Sequence, residues 1–161
     1  MTIETMTERL DGKLLAGSMD KEITELVYDS RKLVPGCIFV CIKGAAFDGH
    51  DCINEAAKKQ AAAVVVEREV EVPSGMTAVL VENTRHALAV LSAAWFSYPA
   101  QQLKTIGITG TKGKTTTTYM IKSILESTGL KVGLIGTIET VIGDEHIPAA
   151  NTTPESYLVQ Q

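Results

Sequence analysis

The stretch KTIGITGTKGKTTTTYMIKSILESTG, residues 104–129, decides how this chain is read. Lys104 to Ile108 is β-prone, and two glycines follow in Thr109-Gly110-Thr111-Lys112-Gly113. Lys114 to Ser127 then places apolar residues at helical spacing, and Gly129 suits the end of that helix. Strand, glycine loop and helix in this order let backbone N–H groups turn inward beside the positive end of a helix, so the stretch predicts a phosphate-binding loop. Gly110 and Gly113 supply the backbone freedom and close approach that such a loop requires. Lys114 is spaced to reach β- and γ-phosphates and the Thr115 hydroxyl to ligate Mg²⁺, which points to ATP. Thr111, Lys112 and Thr116 complete the loop, Thr116 as a further hydroxyl donor. The standard pattern wants glycine six residues before the lysine, where this chain has Ile108. The competing reading is a glycine turn ahead of a helix that merely contains a lysine. Against it, the consecutive threonines 115–118 are poor helix formers and call for some other reason to be there.

Upstream, Ile38 to Ile42, Ala62 to Val66 and Thr77 to Val81 read as buried strands, and Ile23 to Tyr28 as a further one. Residues 1–20 suggest no more than a short helix. A helix is predicted over Asp51 to Ala61, and another, capped by Asn83, through Leu88, Leu91, Ala94 and Trp95 until Tyr98-Pro99 stops it. Lys43 to Gly49 reads as a loop. Downstream, Val132 to Ile135 is a strand, and Thr140 to Ile147 alternates around Gly143-Asp144 as a hairpin. Asn151-Thr152-Thr153-Pro154 predicts a helix start with proline at the first helical position. Alternating strands and helices imply an α/β fold with largely parallel sheets. The predicted division is a first domain over 1–100 and the truncated start of a second over 101–161. The second has too few elements to cover both faces of a parallel sheet.

The 161 residues carry 15 Lys and Arg against 19 Asp and Glu, a net charge of -4. An acidic chain is a poor general binder of nucleic acid, because phosphate-backbone affinity comes from Lys and Arg. The apolar runs are too short to span a bilayer, so no membrane insertion is expected. No signal peptide is visible at the N-terminus. Cys37, Cys41 and Cys52 fit neither a zinc spacing nor a paired disulfide framework, which suits the reducing cytoplasm. His50, His86 and His146 show no metal-ligand spacing; His50 reads as shaping a turn and His86 as solvated. Asp48 and Asp51 read as loop-closing and capping groups rather than a catalytic carboxylate pair. Trp95 reads as core packing.

Gly110-Thr111-Lys112-Gly113-Lys114-Thr115-Thr116 is similar to the shortened phosphate loop of the Mur ligases and the folylpolyglutamate synthases, which usually carry Asn where this chain has Lys112. Asp29-Ser30-Arg31, Pro35-Gly36, Ile38 to Gly44 and Asp48-Gly49-His50-Asp51 resemble, in that order, the N-terminal domain of two kinds of Mur ligase. These are the ligases that add the third residue and the terminal dipeptide of the peptidoglycan precursor peptide. Folylpolyglutamate synthases lack this domain. Gly133-Leu134-Ile135-Gly136-Thr137 and Asn151-Thr152-Thr153-Pro154-Glu155-Ser156 resemble the third-residue ligases in particular. The resemblance covers the chain from about Glu25 onward.

The resemblance implies an N-terminal Mur-ligase substrate domain followed by the start of a P-loop central ATPase domain. It implies an ATP-dependent ligase that joins a diamino acid, lysine or meso-diaminopimelate, to UDP-N-acetylmuramoyl-L-alanyl-D-glutamate through an acyl phosphate. Lys114 and Thr115 are then catalytic, with Thr115 on Mg²⁺. Ser30 is implied to contact the uridine diphosphate moiety, although serine in Asp-Ser-Arg commonly caps a turn. Asn151, Thr152 and Thr153 are implied to contact the muramoyl-peptide, although Thr153 also suits an N-cap ahead of Pro154. A monomer is expected, inactive as a ligase by itself. Three other readings stay open: a ligase adding the terminal D-alanyl-D-alanine dipeptide, a non-catalytic nucleotide-binding module, and a folded but inert fragment.

Overall fold

The computed structural model describes residues 1–45, 47–149 and 153–161. The chain divides into two compact units, Met1–Pro99 and Ala100–Val159.

In the first unit, helix α1 (Ile3–Thr7) leads into strand β1 (Gly12–Ala16). Strands β2 (Leu26–Val27) and β3 (Ile38–Val40), helix α2 (Ile53–Lys58), strands β4 (Ala63–Val66) and β5 (Thr77–Val81) and helix α3 (Thr84–Trp95) follow. The sheet order is β1-β5-β4-β3-β2. Strands β2 to β5 pair in parallel, and β1 runs antiparallel along the outer edge of β5. Every residue of β3 and β4 is buried, as expected for parallel strands covered on both faces. Phe39, Cys41, Val64, Val66 and Ala78 gather with Ile53 and Ala56 of α2 in one cluster. Side chains alternate along a strand, so Ile38, Val40, Val65 and Val79 point to the other face, where α3 packs across β2, β3 and β4 and buries Leu88 and Leu91. Asn83 caps α3 through its side-chain oxygen on the His86 amide, as the sequence predicts. Trp95 is only half-buried at the end of that helix, while Ala94 beside it is buried.

In the second unit, helix α4 (Lys114–Ser127) begins at the predicted residue and ends at Gly129, whose left-handed φ of 84° needs no Cβ. Strands β6 (Gly133–Ile135), β7 (Glu139–Ile142) and β8 (Glu145–Pro148) form an antiparallel sheet in sequence order, with the hairpin turn at Gly143-Asp144. The register sets Leu134 beside Val141 and Val141 beside His146. Leu134 and Val141 are the only hydrophobic side chains buried in this unit among the described residues.

Two expectations are corrected here. The β-prone stretch Lys104 to Ile108 forms no strand. A strand exists only through a ladder partner, and no described strand pairs with this one: the sheet of its unit is the local antiparallel β6-β7-β8, not a parallel one. The last helix, α5 (Ser156–Gln160), starts later than Asn151-Thr152-Thr153-Pro154 suggests, and Pro154 is not its first residue. Glu155 sits in the extended region at φ -62°, ψ 150°, so the chain stays extended through the residue after the proline.

Candidate functional site

The predicted phosphate loop is built from backbone. Gly113 is the N-cap of α4 in the left-handed region, φ 79° and ψ -5°, a conformation costly for any residue with a Cβ. Its carbonyl accepts the first helical bond from the Thr117 amide at 2.9 Å. The N–H groups of Lys114, Thr115 and Thr116 therefore precede the helical ladder. Four other turns cover such donors with a side chain: Thr2 for α1, Asn83 for α3, and Asp29 and Asp48 for the 3-10 turns at Ser30–Lys32 and Gly49–Cys52, while the shorter α2 and α5 have no side-chain cap. Helix α4 has no side-chain cap, and its first turn keeps the positive end of the helix dipole open to solvent. The Lys114 ammonium donates to the Gly110 carbonyl at 2.7 Å, folding back over the loop it belongs to. Thr115 is half-buried, whereas Gly110, Thr111, Lys112, Gly113 and Thr116 are exposed. One residue set thus offers amides ahead of the helical ladder, a lysine ammonium and a hydroxyl within a single turn. A cleft of about 620 Å³ between the end of α4 and the hairpin turn, lined by Glu126, Leu130 and Asp144 among others, lies at the opposite end of the helix and takes no part in this loop.

In the first unit, the segments that follow β2, β3, β4 and β5 all emerge at the carboxyl edge of the parallel sheet, where α/β folds bind ligands. Ser30 is in the segment after β2. The turn is capped not by Ser30 but by Asp29, which accepts the Arg31 amide at 3.0 Å and holds the Arg31 guanidinium at 2.7 and 2.9 Å. That guanidinium is the main reason the Asp29 carboxyl sits below its ordinary value. The half-buried Ser30 hydroxyl is left without a hydrogen-bond partner among the described residues.

The segment after β3 is tied down by a network that no single motif announces. Asp48 accepts the His50 amide at 3.0 Å, the His50 ring at 2.6 Å and the Arg68 guanidinium at 2.8 Å. The His50 amide, with Arg68 and the His50 ring behind it, holds the Asp48 carboxyl far below the usual carboxylate range against a smaller opposing push from desolvation. His50 is buried, and its Nε2 accepts the Glu67 amide at 3.1 Å. The proton therefore sits on Nδ1, facing Asp48. Glu67 in turn accepts from the Thr84 amide and hydroxyl at 3.3 and 3.0 Å, joining the ends of β4 and β5. Gly49 must be glycine: a Cβ there would meet the Ile42 nitrogen at 2.8 Å. Sequence reading found the turn-shaping role of His50 and the capping role of Asp48, but not Arg68, which is twenty residues away.

Asn151 and Thr152 lie outside the described residues, and Thr153 is exposed. Cys37, Cys41 and Cys52 are free and buried, and burial pushes the Cys41 thiol up to about 12, which makes it a packing group rather than a nucleophile. His86 is exposed on α3. Among the described residues no helix is long and apolar enough to cross a membrane.

Comparison with known proteins follows these two regions. The model of the Mur ligase family catalytic domain matches residues 22–96, and that of the Mur ligase middle domain matches residues 108–161. A UDP-N-acetylmuramoyl-L-alanyl-D-glutamate--2,6-diaminopimelate ligase of Clostridium perfringens is 44% identical over 157 residues, which is 98% of this chain and 32% of that one. The Bacillus licheniformis protein of the same name is 49% identical over 146 residues, 91% of this chain and 30% of its own. The chain thus spans about a third of the length of these relatives. A crystal structure of MurF from Acinetobacter baumannii superposes with a TM-score of 0.60 at 31% identity, over 78% of this chain and 27% of that one. A solved diaminopimelate ligase superposes over 99% of this chain and 32% of its own with a TM-score of 0.72; at 21% identity it speaks for the fold alone. With both matched regions falling on the two units and in the same order, the chain belongs to the Mur ligase family.

Proposed function

We propose that this chain is the front part of an ATP-dependent ligase that joins 2,6-diaminopimelate to UDP-N-acetylmuramoyl-L-alanyl-D-glutamate during peptidoglycan precursor synthesis. The observation that carries the reading is the uncapped start of α4 with Lys114 held over Gly110. The names of the 44% and 49% identical relatives support the third-residue reaction over addition of the terminal dipeptide, for which the A. baumannii MurF structure, at 31%, is the neighbour.

In this reading the loop amides of residues 110–116 and the Lys114 ammonium bind the β- and γ-phosphates of ATP, moving from the Gly110 carbonyl to the nucleotide. The Thr115 hydroxyl suits Mg²⁺, which is commonly held by one or two protein oxygens together with substrate phosphates. The ion, when bound, supplies charge neutralisation between those phosphates. The D-glutamate side-chain carboxylate takes the γ-phosphoryl group from ATP with release of ADP, and the incoming amine displaces phosphate from the acyl phosphate, forming the amide and giving up a proton to solvent. Lys112 adds a second cation at the loop. The first unit binds the uridine diphosphate end at the carboxyl edge of its sheet, with the unpartnered Ser30 hydroxyl as a donor, and Asn151, Thr152 and Thr153 contact the muramoyl-peptide. The buried free thiols suit the reducing cytoplasm.

The test is phosphate release by the full-length protein. Release should require ATP, Mg²⁺, the UDP-muramoyl-dipeptide and diaminopimelate together. Release that needs the UDP-muramoyl-tripeptide and D-alanyl-D-alanine instead would assign the dipeptide reaction. Nucleotide binding without turnover under any combination would make the protein a binding module.

A further inference from the structure

One cluster in the second unit has no part in the loop chemistry. Glu139 of β7 accepts the Tyr119 hydroxyl of α4 through one carboxylate oxygen and meets the His146 ring of β8 at 2.7 Å through the other. Lys122, one helical turn beyond Tyr119, is the remaining charged group near this carboxylate and is paired with Glu126 at 2.6 Å. The register explains the meeting. Leu134, Val141 and His146 lie in one row across the sheet, and Glu139 is the diagonal neighbour of His146 on the same face, within reach of a long side chain. That face carries the buried Leu134 and Val141 and looks toward α4. Thr115 and Tyr119 are four residues apart on α4, so they share the helix face that looks toward the sheet.

Strand β8 buries none of its own residues. Beyond its ladder with β7 and the Ala149 amide on the Ile138 carbonyl at 3.0 Å, its side-chain anchor is the His146–Glu139 contact. The segment carrying Asn151, Thr152 and Thr153 follows β8 directly in sequence. We infer that Glu139 is a positioning residue: by bridging Tyr119 of α4 to His146 of β8, it fixes β8, and the point at Ala149 where the chain leaves the sheet, relative to the proposed phosphate loop at the start of α4. This deepens the ligase reading above and rests on it. The Tyr119 hydroxyl and the His146 ring hold the Glu139 carboxyl below its ordinary value, so the bridge is made by the carboxylate.

The experiment is steady-state kinetics on the full-length protein with Glu139→Ala, Glu139→Gln and Tyr119→Phe, beside Lys114→Ala as the control for the underlying reading. Losing the bridge should raise KM for the UDP-muramoyl-dipeptide about tenfold and leave KM for ATP within about twofold. Glutamine keeps an acceptor for Tyr119 and brings an amide N–H that can donate to His146 Nδ1 in its unprotonated tautomer, so Glu139→Gln should restore most of the affinity that alanine loses. Tyr119→Phe keeps the whole sheet, including the His146 contact, and should reproduce part of the shift even where Glu139→Ala folds poorly. Unchanged KM values in both Glu139→Ala and Tyr119→Phe, with Lys114→Ala inactive, would overturn the positioning role alone. So would equal rises for the two substrates in all three variants, because that is general destabilisation. Full activity in Lys114→Ala would bring down the ligase reading, and this inference with it.

Discussion

The two units treat their sheets differently. In the first, β3 and β4 are buried on both faces, between α2 on one side and α3 on the other. In the second, one face of β6-β7-β8 lies under α4, while the other carries Ile135, Ile142 and Ile147 at 48%, 56% and 42% exposure. Helix α4 itself leaves Met120 and Ile124 exposed. The first unit is thus a closed core with polar segments fixed along one edge. The second exposes its glycine loop on a half-covered frame. Packing in this chain is concentrated in the first unit, whereas the proposed phosphate loop depends on backbone geometry more than on a packed interior.

The contrast can be broken most easily at Phe39. It is 1% exposed at the centre of the first sheet, and Phe39→Ala should cost about 3–5 kcal/mol, a drop of more than ~10 °C in the unfolding of that unit. Ile142→Ala, on the open face of the second sheet, should stay within about 0.5 kcal/mol. Thermal unfolding of the two variants checks this directly, and comparable losses would mean that the open face is covered.

The Asp48 network offers a second, smaller probe. Asp48→Ala strips the partner from a buried imidazole N–H and should cost about 1–3 kcal/mol. Its pH signature follows from the depressed carboxyl. The stabilisation is fully present above the ordinary carboxylate value of 3.8 and is lost as pH falls below it toward the folded-state value. Denaturant melts between about pH 5 and about pH 2 should show that loss in the parent protein and a shallower one in Asp48→Asn. A parallel decline in both would remove Asp48 from the account.

Ser30 gives a contrast of a different kind. Because Asp29 caps the turn, Ser30→Ala should leave thermal stability unchanged. A lost hydroxyl hydrogen bond of about 0.5–1.5 kcal/mol, or up to about 3 kcal/mol if charge-assisted, should raise KM for the UDP-sugar peptide roughly threefold to a hundredfold. KM for ATP should hardly move. Lower stability with both KM values unchanged would return Ser30 to the role of a turn residue.

What was legible in the sequence follows the same division. Strands β3, β4 and β5 announce themselves because a doubly covered strand is a continuous apolar run. Strand β1 does not, because Gly12-Lys13-Leu14-Leu15-Ala16 has neither strong β propensity nor alternation and is a strand only through its pairing with β5. The converse error at Lys104 to Ile108 has the same cause: local propensity was right, and no ladder partner was present. The proposed phosphate loop could be read from sequence because it lies in seven contiguous residues, 110–116. Arg68 with Asp48, and Glu139 with Tyr119 and His146, were not, because side chains separated by up to twenty positions meet only once the sheet register is set.

The central claim is that the uncapped start of α4 is the nucleotide phosphate site of a ligase. It is tested most directly by ATP-dependent phosphate release from full-length Lys114→Ala in the presence of the UDP-muramoyl-dipeptide and diaminopimelate. Lys114 is exposed and, among the described residues, its side chain bonds only the Gly110 carbonyl, so the fold should survive with an unchanged melting temperature. Phosphate release should fall to background. Turnover equal to that of the parent protein would contradict the assignment.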